Sequence, residues 1–141
     1  MEISDIKRRV NETIDRAKRA AAERRAASDQ AAKDFGEFLE NVAVPIFRQV
    51  ANVLRAEKYF FSVFTPGGSV RLMSDRTAED FVELALDTSG GRPVVVGHTS
   101  RQRGRRITES ERPLEARSIA DISEEDVLEF LLKGLEPLVE K

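Results

Sequence analysis

The chain contains no cysteine and a single histidine, His98. Without cysteine there is no disulfide framework, no thiolate metal site and no thiol nucleophile. One histidine then leaves carboxylates as the only metal ligands, a set suited to magnesium or calcium. The acidic groups are Asp75, Glu79, Asp80 and Glu83, then Glu124-Glu125-Asp126. Neither has the alternating acids and central glycine of a calcium-binding loop, and the second reads as a helix cap. His98 has Thr99 and Ser100 beside it, but adjacent strand positions face opposite sides, and no G-x-S-x-G elbow is present. It reads as a half-exposed strand histidine. The glycine pairs Gly67-Gly68 and Gly90-Gly91 belong to no phosphate-cradling motif and read as turns. No metal, cofactor or catalytic residue is expected, and the balance falls against an enzyme.

Long apolar runs are also missing. The most apolar stretch, Tyr59 to Val70, is interrupted by Pro66-Gly67-Gly68 and is too short to span a bilayer. The N-terminal MEISDIKRRV carries charge throughout, unlike a secretory signal. These features point to a cytoplasmic protein with no membrane partner. Neither sign of charge dominates: 23 Lys+Arg stand against 25 Asp+Glu, a net charge of −2, which argues against a wholly basic nucleic-acid-binding domain. The charge is uneven, however. Residues 1–33 hold nine bases and six acids, whereas residues 109–141 hold four bases and ten acids.

What the sequence does have is helical periodicity. Ile3, Ile6, Val10, Ile14, Ala17, Ala21, Ser28, Ala32, Phe35, Leu39, Val42 and Ile46 recur at steps of three and four, within one narrow sector of a straight helix. Acid-to-base pairs four residues apart (Asp5–Arg9, Glu12–Arg16, Asp15–Arg19, Asp29–Lys33) support it. Pro45 predicts a kink near Val44, and Ser28-Asp29 is a weaker candidate break. A second helical piece is expected from Ile46 to about Lys58.

Beyond Lys58 the period changes to that of strands. Tyr59–Thr65 is apolar on both faces, as a central strand would be, and Pro66-Gly67-Gly68 suits a type II turn. In Ser69–Ser74, Val70 and Leu72 oppose Arg71 and Met73. Thr77–Asp87 reads either as a helix capped by Thr77 or as a strand; the strand is preferred because Val94-Val95-Val96 needs a neighbour to pair with. Pro93–Ser100 is a strand, Gln102-Arg103-Gly104 a turn, and Arg105–Glu111 a charged edge strand. Ser123 should cap a C-terminal helix whose stripe is Val127, Leu128, Leu131, Leu135 and Leu138, widened by Phe130, Leu132 and Val139 and ended or bent at Pro137.

The expected architecture is therefore α+β: a long N-terminal helix with a candidate kink at Pro45, a four- or five-stranded antiparallel meander, and a C-terminal helix on one sheet face. Residues 1–33 form a protruding helical segment and 34–141 a small α+β domain. A helix unbroken to Ala43 would be about 65 Å long, longer than the body of about 35 Å, leaving Ile3, Ile6, Val10 and Ile14 overhanging. A second copy of the helix is the simplest cover, with fold-back at Ser28-Asp29 or another protein as rivals. The leading expectation is a non-enzymatic interaction or scaffold module that forms a homodimer, or meets a protein partner, through this helix. The second is a nucleic-acid-associated protein gripping phosphates with Arg101, Arg103, Arg105 and Arg106. A third, a small-ligand or enzyme site, has no residue to name.

Overall fold

The computed structural model describes residues 1–114 and 118–140. Helix α1 runs without a break from Ile3–Phe38, about 54 Å at 1.5 Å per residue. Ser28-Asp29 does not interrupt it, so the fold-back geometry is not adopted. At Pro45 the expected kink takes the form of a π-helical turn, Leu39–Ala43, after which helix α2 continues over Val44–Ala56. Proline lacks an N–H, and its ring would clash with the carbonyl four residues back. Widening the preceding turn, with the Val44 N–H bonded to the Leu39 carbonyl five residues back, makes room for the ring without ending the helix. Helix α2 closes in a Schellman motif, where the Tyr59 and Lys58 amides donate to the Leu54 and Arg55 carbonyls and Lys58 takes a left-handed φ of 71°.

Five antiparallel strands follow in simple meander order: β1 Phe61–Phe64, β2 Val70–Ser74, β3 Phe81–Asp87, β4 Val94–Arg103 and β5 Arg106–Pro113. The ambiguous 77–87 segment is thus a strand from Phe81 onward, paired over its whole length with β4. Two details differ from the sequence expectation. The apolar first strand lies at an edge of the sheet, not its centre. The turn after it has positive φ at both Gly67 (55°) and Gly68 (80°), closed by the Ser69 amide on the Pro66 carbonyl, so it is a primed turn matching the strand twist rather than a type II turn. At the far hairpin, β4 extends through Arg103 and the two-residue loop is Gly104-Arg105, with Gly104 at φ 59°. The carboxylate of buried Asp80 receives the Gln102 amide at 2.7 Å, satisfying β4 where it outruns β3.

Helix α3, Glu124–Val139, starts with a capping box between Ser123 and Asp126. It continues two residues past Pro137, which sits in the last turn and does not end it. Its buried face is Val127, Phe130, Leu131, Leu135 and Leu138; Leu132 points to solvent, 54% exposed, and Leu128 is half-buried. The core lies between one sheet face (Phe61, Val70, Leu72, Val82, Leu84, Val95) and the helical residues Phe35, Phe38, Leu39, Ala43, Phe47, Ala51, Val127, Phe130 and Leu131. All the helical packing is on that face. Two glycines let α3 approach it: a Cβ at Gly97 would lie 2.2 Å from the Phe130 ring, and one at Gly134 would lie 2.9 Å from Val82.

Gly97→Ala should therefore destabilise the protein by about 1–3 kcal/mol through overpacking. Lys58→Gly, which removes the left-handed strain at the end of α2, should stabilise it by up to about 1 kcal/mol. Urea denaturation of the two variants checks both signs.

Candidate functional site: the uncovered helix, the arginine hairpin and the open sheet face

The first nineteen residues are all exposed. Contact with the body begins at Ala20, Ala21 and Ser28, half-buried near the β3–β4 loop, and becomes tight at Ala31 and Phe35. Between α1 and that loop lies an open gap of about 840 Å³. At the end of β3, Asp87 accepts hydrogen bonds from the Ser89 hydroxyl (2.6 Å) and amide (2.9 Å) in the loop, which hold its carboxyl below the usual 3.8. Of the predicted stripe, Ile6, Val10 and Ile14 are 45%, 50% and 44% exposed and Ile3 is 83% exposed. They lie on the sector of α1 that, farther along, buries Phe35 and leads into Leu39. The apolar face that joins the core thus continues well past the point where the core ends.

The predicted arginines fall around the β4–β5 tip. Arg103 and Arg106 are a cross-strand pair, Arg101 pairs with Thr108, and Arg105 is in the loop. Side chains alternate along each strand, so Arg101, Arg103 and Arg106 share the face turned toward the helices, joined along β5 by Thr108, Ser110 and Arg112. The intervening β5 residues, Ile107, Glu109, Glu111 and Pro113, take the other face. The hairpin sorts its charge, cations to one side and carboxylates to the other. Sequence reading had grouped the four arginines by proximity alone and had missed this sorting and the contribution of Arg112.

The face away from the helices holds a polar row that sequence reading did not anticipate. Register aligns Phe64, Arg71, Glu83, His98 and Glu111 across all five strands. Glu83, 9% exposed, accepts from the Ser69 hydroxyl at 2.8 Å and from Nε and Nη2 of Arg71 at 3.3 Å each. Arg71 lies 3.9 Å over the centre of the Phe81 ring, and His98 meets that ring edge-on at 5.1 Å. The His98 nitrogens stand 3.8 Å from Glu83 and 3.6 Å from Glu109, beyond hydrogen-bond length. Ser100 shares the face, but its hydroxyl is buried and has no hydrogen-bond partner among the described residues, so His98 and Ser100 do not form a nucleophile–base pair. The row acts as cross-strand glue on an otherwise uncovered sheet face. Its only sequence signal is the spacing of Arg71 and Glu83, which becomes a contact once the hairpin register is known.

Among the described residues, no three His, Asp or Glu side chains are grouped to hold a metal ion, and no helix is long and apolar enough to cross a membrane. No protein-family model matches the chain, and no curated protein or solved structure is significantly similar to it.

Replacing Glu83 by alanine leaves the half-buried Arg71 guanidinium without its carboxylate, and should cost about 1–3 kcal/mol. Glu83→Gln, which keeps an acceptor oxygen, should cost less. A urea-unfolding comparison that ranks the two the other way would contradict the bonding described.

Proposed function

We propose that the protein is a non-enzymatic interaction or scaffold module that self-associates through the first half of α1. The observation that carries the reading is the exposed stripe of Ile3, Ile6, Val10 and Ile14, which continues the buried face of the same straight helix. Each such side chain left in water forgoes about 2 kcal/mol. Two copies packed stripe to stripe bury eight of them, a gain on the scale of the association cost of about 4–15 kcal/mol. The small residues Ala17, Ala20 and Ala21 next along the helix permit close backbone approach. A cytoplasmic location belongs to the same reading and rests on composition.

Light scattering or sedimentation of the full chain tests it. The expected result is a dimer that becomes a monomer in Ile6→Lys plus Val10→Lys, with the unfolding midpoint of the body little changed, because both residues are exposed within one chain. A wild-type monomer at tens of micromolar, or a dimer that survives the double change, overturns the proposal.

A second reading is favoured by the sorting of charge on the β4–β5 hairpin: phosphate contact by Arg101, Arg103, Arg105 and Arg106, in a protein associated with nucleic acid. Arginine suits this contact because its guanidinium is planar, always charged and able to bind two oxygens at once. Four such contacts predict a slope of log affinity against log salt of about −3.6 on duplex DNA. Fluorescence anisotropy at low salt should show weak binding that disappears when the four arginines become serine; binding that persists excludes the tip.

A further inference from the structure

Helix α3 packs along β3 and β4, and β5 lies beyond it with every residue exposed. The overhang forms a cleft of about 380 Å³, walled by β4 and β5 on one side and by the C-terminal half of α3 on the other. Its size is at the small-molecule end of the range for ligand sites. Among the described residues, three cations line it, Arg101, Arg112 and Lys133, and no acid does. None of the three makes an ion pair among the described residues. The hydroxyls of Thr99, Thr108 and Ser110 lie between them, and Phe130 and Leu138 supply an apolar floor.

Two features separate this lining from a solvated charged surface. Lys133 is the single base on α3, against five acids, and it is the charged residue of α3 that borders the cleft. Asp126 and Glu129 line an adjoining cleft, which Arg112 and Lys133 also border. On β5, the period-two alternation turns Thr108, Ser110 and Arg112 inward and sends Glu109 and Glu111 to the opposite face. Within the first cleft the three like charges repel one another, and a bound anion relieves that repulsion.

We propose that this cleft binds a small phosphomonoester. Two guanidiniums, an ammonium and three hydroxyl donors exceed what one carboxylate can use, and they match a dianion with three terminal oxygens. The apolar floor gives the organic part of the ester a surface to rest on. Arg103, Arg105 and Arg106 lie outside the lining, so the site shares only Arg101 with the hairpin tip and does not depend on self-association.

Titration of the full ¹⁵N-labelled chain with phenyl phosphate, followed by amide shifts, tests the assignment. Saturable shifts are expected at Thr99, Arg101, Thr108, Ser110 and Gly134. Arg112→Gln plus Lys133→Gln should weaken binding by at least about tenfold, whereas Arg103→Ser plus Arg105→Ser should leave it unchanged. Retention of the far-UV circular dichroism spectrum verifies folding, and Arg101→Gln serves as the second variant should the first pair fail that check. Shifts that do not saturate, binding lost in the tip variant but kept in the cleft variant, or binding of a single-stranded oligonucleotide without binding of phenyl phosphate would each overturn the proposal. Equal affinity for inorganic phosphate would overturn the ester part of it.

Discussion

The close seating of α3 on the sheet, with the Phe130 ring occupying the space that a side chain at Gly97 would fill, is the constraint from which much of the rest follows. A helix pressed this near to β3 and β4 buries Val82 and Leu84 completely but cannot also reach over β5. The other half of the face, at β1 and β2, falls to α2. Three helical pieces thus cover one face of a five-stranded meander, with nothing left for the opposite face or for the last strand. The polar row from Arg71 to Glu111, the cleft beside Lys133 and the free first half of α1 are three consequences of that single-sided burial.

The two sheet faces solve different problems with the same alternation. The row facing the helices runs Val63, Leu72, Val82, Thr99, Ser110, apolar on the first three strands and hydroxyl-bearing on β4 and β5. One residue along, the row Phe64, Arg71, Glu83, His98, Glu111 lies on the face without helices and sets Arg71 beside Glu83 as an opposite-charge pair. Beyond the limit of α3, β5 carries the pattern on with arginine and serine inside and glutamate outside. A strand cannot present both sets on one side, so the segregation of cations from carboxylates follows directly from the pleat.

Several particulars were legible without a structure. The step pattern from Ile3 to Leu39 identified one straight helix, and the Ser123 cap with its three following acids identified another, because helix periodicity and capping are local properties. The strand at 81–87 was inferable from the need of Val94-Val95-Val96 for a partner. Pro45 signalled a disturbance but not its form: a π turn and a break relieve the same clash, and only the packing of Phe38, Leu39, Ala43 and Phe47 into one core selects the continuous helix. The apolar segment at Phe61–Phe64 looked central and is an edge, since residue type reports burial and not strand order.

The amino-acid sequence by itself determined the elements, their amphipathic sides and the existence of an apolar stripe longer than any one body could cover, because those depend on contacts within a few residues. Only the tertiary structure decided where that stripe leaves the core, which arginines share a side and that Lys133 closes a cleft against β5. Each of these depends on strand register and helix placement, which bring together residues as distant as Arg101 and Lys133 through the summed packing of the whole core rather than through any local preference.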